Sequence, residues 1–388
     1  MSYLQELLCS ECSRVFPAGQ VQTYCPDCQA PLMARYDLVT ARARLDREEI
    51  SHRSRGMWRW IELLPVRDPA NIVSLGEGDT PLLDVGRLGE YLGFKQLYVK
   101  DESRNPSGSF KARGLAVAVS KARELGLQKL IMPTAGNAGG ALATYAARSQ
   151  MQALILMPKE TPPANIEECR IAGADLQLVD GLISDAGRLA REIANSQNWF
   201  DLSTFKEPYR VEGKKVMGYE LAEAFGWELP EVILYPTGGG TGLVGMWKAF
   251  DELAELGWIN TQWRPRLVVI QATGCAPVVK AFESGATFCN YWEDARTIAA
   301  GLRVPKSFAD RLILRTLRAS NGVAIAVSDE EILSAQRLLA AREGILAAPE
   351  GAATLAGFIQ LQRQGWIGQN ERVVLFNTGA GLKYLRPA

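Results

Sequence analysis

The chain has 388 residues, 47% of them apolar and 22% charged, with 43 basic side chains balanced by 43 acidic ones. That length exceeds one simple domain of roughly 100–200 residues, and the apolar share is ample for a packed core. The cancelled charge argues against nucleic acid or an anionic membrane surface as partner, and no apolar run approaches the ~20 residues that a membrane helix needs. The opening residues lack the charged-then-apolar layout of a secretory signal, so a cytoplasmic location is expected.

Four of the seven cysteines crowd the start as two C-x2-C pairs, Cys9 with Cys12 and Cys25 with Cys28, separated by twelve residues. Such pairs suit a tetrahedral zinc held by four thiolates, each pair forming a tight knuckle and the spacer a hairpin. Two disulfides are the alternative, but they need an oxidising compartment. Four thiolates leave no open coordination position, so the expected zinc is structural, stapling a segment too small for its own core. This zinc ribbon is expected over residues 1–35. An arginine-rich linker or N-terminal helix then runs over 36–70. It holds the lone histidine, His52, so a multi-histidine metal site is excluded and a Ser-His-Asp triad nearly so.

Beyond residue 89, short apolar runs alternate with helical periodicity. "KQLYVK", "QKLIMP", "QALILMP", "DLQLVD", "EVILYP", "RLVVIQ", "GVAIAV" and "RVVLFN" read as strands, separated by helix-length segments. Ser328 with Glu331 three residues on marks one helix start. The pattern predicts an α/β fold with doubly wound parallel sheets, which bind ligands in the crevice at their strand ends.

Four strand-end turns hold candidate chemistry. In "NPSGSFKARG", Lys111 stands between a small-residue turn and a helix. Burial and the helix dipole both disfavour an ammonium there, as a Schiff-base amine requires; a lysine reaching past apolar surface to solvent is the other reading. In "PTAGNAGG", Asn137 can offer its amide to a ligand oxygen, or can simply take a left-handed turn conformation. In "PTGGGTGLVG", Gly238, Gly239, Gly240 and Gly242 open a helix whose N–H groups and dipole suit a phosphate. The loop fits neither a dinucleotide fingerprint nor a nucleotide-triphosphate loop. In "NTGAGLK", Thr378 ends the last strand and could bond a ring nitrogen or be an ordinary turn residue.

Amine, amide, phosphate cradle and hydroxyl follow one another at strand ends. Together with "LGEGDTPL", "YVKDESRNPSGSFKARG" and "PYRVEGKK", they make the chain resemble the fold type II pyridoxal-phosphate enzymes, and within them the threonine synthases, over about residues 70–384. The N-terminal cysteine ribbon is also similar to that of many such chains. The resemblance implies that Lys111 holds pyridoxal 5'-phosphate covalently and moves protons at the substrate. Asn137 would contact the ring oxygen, Gly238 to Gly242 with Thr241 the phosphate, and Thr378 the pyridine nitrogen. A neutral hydroxyl there makes a softer electron sink than a carboxylate would, favouring elimination and addition over transamination.

The implied reaction converts O-phosphohomoserine and water to threonine and phosphate, with Arg210 on the substrate phosphate and Lys214 and Lys215 nearby; a surface arginine before a helix is the plainer reading of Arg210. Ala112, Ala135, Ala138 and Ala380 depart from the family's usual acid, hydroxyls and histidine, and only Thr134 keeps a hydroxyl for the substrate carboxylate. These changes keep two other readings open: a threonine/serine ammonia-lyase or β-replacing synthase such as cysteate synthase, and a non-catalytic metabolite-binding protein. The family further implies a homodimer, a large cofactor-binding lobe over 71–112 and 206–388, and an inserted small mobile lobe over 113–205.

Overall fold

The computed structural model describes residues 1–385. The chain opens with strands β1 (Leu4–Cys9), β2 (Val15–Pro17) and β3 (Leu32–Tyr36), then helices α1 (Leu38–Arg44) and α2 (Arg47–Ser51). The region read as an arginine-rich linker or N-terminal helix thus carries two short helices. Asp37 and Asp46 start its two helices by accepting first-turn backbone N–H groups.

Strand β4 (Leu82–Asp84), helix α3 (Gly86–Leu92), strand β5 (Leu97–Asp101) and helix α4 (Lys111–Glu124) follow. Next come β6 (Lys129–Pro133), α5 (Asn137–Ser149), β7 (Gln152–Pro158), α6 (Pro163–Ile171), β8 (Asp175–Val179), α7 (Ile183–Gln197) and β9 (Phe200–Asp201). Helix α8 (Arg210–Ala224) leads into β10 (Val232–Pro236), α9 (Thr241–Glu255), β11 (Arg266–Ala272), α10 (Pro277–Glu283) and α11 (Asp310–Ala319). The chain closes with β12 (Val323–Val327), α12 (Asp329–Glu343), α13 (Pro349–Arg363) and β13 (Val373–Asn377).

Three sheets result. β2-β1-β3 is antiparallel; β12-β11-β10-β13-β5-β4 is parallel except for its antiparallel edge strand β4; β8-β7-β6-β9 is parallel throughout. Central strands β10 and β13 are buried at every position, which is why they read as unbroken apolar runs rather than alternating ones. The box expected at Ser328 is present: its hydroxyl accepts the Glu331 N–H, and the Glu331 carboxylate accepts the Ser328 N–H.

Register brings the ends of β5 and β13 together. Asn377 pairs with Asp101 and donates its side-chain amide to the Asp101 carboxylate at 2.8 Å. The turns beyond them are consequently stitched side by side. Phe110 N–H donates to the Thr378 carbonyl at 3.1 Å, and Ala380 N–H to the Gly108 carbonyl at 2.9 Å. Positions 111 and 378, far apart in sequence, become neighbours through backbone pairing alone.

The N-terminal sheet is fastened to the rest. Tyr36 at the end of β3 donates its buried hydroxyl to Glu212 of α8 at 2.9 Å, and Arg315 of α11 donates to the Ser10 carbonyl at 2.7 Å. Among the described residues no helix is long and apolar enough to cross a membrane.

Candidate active site

The strand-end turns converge on a cavity of about 280 Å³ lined by residues from both large sheets. Lys111, Thr134, Asn137, Arg210, Gly238, Gly239, Gly240, Thr241, Gly242 and Thr378 all line it. Lys214 and Lys215, expected near Arg210, do not. Lys215 is buried in ion pairs with Glu212 at 2.7 Å and Glu252 at 3.0 Å, while the Lys214 amine is packed 5.2 Å from the Phe110 ring centroid with no hydrogen-bond partner.

Lys111 is the first residue of α4, and its amine sits 4.1 Å from the same Phe110 ring. Desolvation, reinforced by the Arg210 charge and opposed by Glu350, lowers its pKa from 10.5 to about 7. A substantial share of free amine therefore exists at neutral pH, and the cause is mainly burial. Asn137 opens α5 with a right-handed conformation, so the turn-only alternative for this asparagine does not apply. Its amide N–H donates to the Tyr384 hydroxyl at 3.4 Å, and its carbonyl oxygen is buried without a partner.

The glycine turn closes tightly over the start of α9. Gly240 sits at φ +78°, a conformation that strains any side chain, and a Cβ at Gly242 would collide with the Tyr235 hydroxyl. The backbone N–H groups of Gly238 to Gly242 find no acceptor among the described residues. Helix start, bare N–H groups and close packing together form a cradle suited to a phosphate.

Arg210 begins α8 and is buried, not a surface residue. It donates to the Leu202 carbonyl at 2.6 Å and to the Thr204 hydroxyl at 3.4 Å, while its Nε–H has no partner. Sequence reasoning missed Lys206, Glu350 and Tyr384, which also line the cavity. One Glu350 oxygen accepts the Gly301 N–H at 2.6 Å and the Tyr384 hydroxyl at 2.9 Å; the other has no partner. Burial raises the Glu350 pKa, against those two bonds and the Lys111 charge. Its only sequence signal was a lone acid in an otherwise apolar, small-residue stretch, 239 positions after Lys111.

Unpartnered buried groups on Asn137, Arg210 and Glu350, a free amine and a bare phosphate cradle leave polar demand that a bound polar molecule would satisfy. At the cysteine pairs, the Sγ atoms of Cys9, Cys12, Cys25 and Cys28 lie within 4.8 Å of one another, while Cys169, Cys275 and Cys289 are buried and separate.

The family described as pyridoxal-phosphate dependent enzyme matches residues 73–379. Threonine synthase of Methanocaldococcus jannaschii is 35% identical over 376 residues, covering 97% of this chain and 92% of the relative. That of Methanosarcina acetivorans is 36% identical over 382 residues, with 98% and 92% covered. Among solved structures, a threonine deaminase from T.th. superposes with a TM-score of 0.62 at 26% identity, covering 78% of this chain and 92% of that one. Isoform 2 of threonine deaminase from Solanum lycopersicum gives 0.66 at 22%, covering 87% and 90%, a likeness of fold alone. The Lys111 amine, the glycine cradle and the near-full-length relatives agree: the chain belongs to the pyridoxal-phosphate dependent enzyme family, as a threonine synthase-like member of its fold type II branch.

Proposed function

We propose that the protein is a threonine synthase, a lyase that converts O-phosphohomoserine and water to threonine and inorganic phosphate. The observation that carries this reading is the buried Arg210 guanidinium, with its unpaired Nε–H, in the cavity that also holds the Lys111 amine. A buried cation beyond the reach of any carboxylate hydrogen bond is costly unless a ligand anion completes it. The cofactor's own phosphate has the glycine cradle, so Arg210 is available for a phosphate on the substrate.

Bound pyridoxal phosphate supplies an electron sink for negative charge developing at substrate carbon. The chain's residues do the rest. Lys111 would hold the cofactor covalently, and its amine would move protons at the substrate carbons. Gly238, Gly239, Gly240, Thr241 and Gly242 would hold the cofactor phosphate, Asn137 its ring oxygen, and Thr378 its ring nitrogen through a hydroxyl that would impose no positive charge there. Thr134 and the N–H groups opening α5 receive the substrate carboxylate. Arg210 grips the substrate phosphate and stabilises the charge it carries as the carbon–oxygen bond breaks. Water then adds at the β-carbon. A small lobe over 113–205, closing on the larger one, would keep other water out.

Incubation with phosphohomoserine, phosphoserine, threonine and serine tests this reading. Phosphate and threonine should appear from phosphohomoserine, with no keto acid from threonine. Ammonia and keto acid from threonine without phosphate release would establish an ammonia-lyase instead, the reading favoured by Ala135 and Ala138 in place of hydroxyls. Arg210→Gln is expected to lower kcat/KM for phosphohomoserine by about 10–100-fold, through both a higher KM and a lower kcat, as the loss of charge-assisted hydrogen bonds to bound and departing phosphate implies.

The cytoplasm and a homodimer complete the proposal, as does a structural zinc on Cys9, Cys12, Cys25 and Cys28. Their clustering supports four-thiolate coordination, and elemental analysis should find one zinc per chain, lost in Cys12→Ser. Because Tyr36 ties this segment to α8 through a buried hydrogen bond, that variant should also lose amide-exchange protection over residues 1–36 before any loss elsewhere.

A further inference from the structure

Beside the main cavity lies a second, of about 460 Å³, and the two share Ser184, Lys206, Tyr291, Lys306, Ser307 and Phe308 as walls. Four separate parts of the chain line it: Gln29 from the cysteine-bearing segment, helix α7, Lys206 ahead of α8, and the stretch from Phe288 to Arg311. Five cations line it, Arg188, Arg191, Lys206, Lys306 and Arg311, against a single carboxylate, Asp310.

That carboxylate is already engaged. One oxygen accepts the Cys289 N–H at 2.8 Å and the other the Arg311 N–H at 2.7 Å. Arg188 is matched by Glu192 at 3.2 Å, and Lys206 only loosely by Asp201 at 3.6 Å. Arg191, Lys306 and Arg311 have no ion pair among the described residues. The exposed Arg311 guanidinium lies 5.3 Å from the Phe288 ring centroid, an aromatic contact on the wall of the hollow. Lys206 is buried where the two cavities meet, and Arg191 is close enough to depress its basicity further, after burial itself. Like charges gathered around one hollow repel unless an anion enters it.

We propose that this second cavity is an anion antechamber that receives the phosphate group of the incoming phosphorylated amino acid and, after turnover, the inorganic phosphate leaving Arg210. Lys206, facing both cavities, passes the anion between them. The nature of the ligand rests on the phosphate-releasing reading above; the existence of the site rests only on its own walls.

The test uses the holoenzyme with inorganic phosphate, followed by 31P NMR titration and by product inhibition. Phosphate should occupy two classes of site. The exposed pair Arg191→Gln/Arg311→Gln should remove one class while Arg210→Gln removes the other. In the double variant kcat/KM for phosphohomoserine should fall about tenfold or more and lose most of its salt dependence, with kcat unchanged. Lys306→Gln alone should move each readout the same way by a smaller factor.

Wild-type phosphate binding and wild-type salt dependence in the double variant would overturn the antechamber even if phosphohomoserine is the substrate. Absence of phosphohomoserine turnover, with one class of phosphate site still lost in the double variant, would overturn the proposed reaction and leave the antechamber standing. Loss of both classes at once, with weakened cofactor absorbance, would mean that the substitutions disturb the main cavity and that no separate site exists.

Discussion

Lys111→Ala should abolish the visible absorption band of the purified protein and reduce turnover by a factor of about 10³ or more. Lys206 and Lys306 also line the cavity, so the same variant tests whether either amine can take its place. Lys214 does not line the cavity; its amine is buried beside Gly114 and the Phe110 ring. Borohydride treatment of the wild type followed by peptide mapping should place the label on Lys111 alone, and a label on any other lysine would refute the assignment.

The pH dependence gives a second handle with a definite sign. Below about 7 the Lys111 amine is mostly protonated, and each further unit of acid cuts the reactive fraction tenfold; above about 8 almost all of it is free. The rate at which apoprotein takes up pyridoxal phosphate should therefore rise between pH 5 and 7 and level off by pH 8. A lysine of ordinary basicity would keep gaining rate up to about pH 10. Glu350 opposes this depression, so in Glu350→Gln the plateau should begin at lower pH.

The sequence made the strands legible because a sheet covered on both faces demands unbroken apolar runs, and β10 and β13 meet that demand at every position. The turns were legible for a related reason: glycines and small polar residues at a strand end can lie only on the ligand side of such a sheet. Helix α13 was not legible. It is buried from Pro349 to Phe358, so it shows no polar face and no 3.6-residue alternation to mark it. With it went Glu350, whose place in the cavity depends on contacts with Gly301 and Tyr384 that no local pattern encodes. Arg210 was ambiguous because a helix-start arginine looks the same whether it meets solvent or a cavity; burial decides, and burial belongs to the tertiary fold.

Arg113→Met is the substitution expected to cost most in stability, about 3–5 kcal/mol, read as a lowered denaturant midpoint. Arg113 is fully buried. It donates to Glu102 through Nε at 2.6 Å and Nη2 at 2.8 Å, and to Glu220 through Nη1 at 2.6 Å and Nη2 at 2.7 Å. Lys100 meets Glu220 at 2.6 Å, so two carboxylates and two cations balance. Methionine fills much of the volume but leaves Glu102 with only the Thr80 hydroxyl and the Asn105 amide. An uncompensated buried carboxylate, not lost packing, is the source of the cost, so adding Glu102→Gln to Arg113→Met should recover part of it.

The acid limb tests the same point. Burial pushes the Glu220 pKa up, but the Arg113 and Lys100 charges outweigh it and hold the group well below the ordinary carboxylate range. That contribution is present above the unfolded pKa near 4.3 and is lost as pH falls below it. Without Arg113 the depression shrinks, so stability should fall less steeply under acid in Arg113→Met than in the wild type. Arg113 sits on α4 behind Lys111, Glu102 on the turn after β5, Glu220 on α8 behind Arg210, and Lys100 on β5 itself. Breaking the cluster therefore loosens both helices whose first residues reach into the cavity, and cofactor affinity should fall together with the denaturant midpoint.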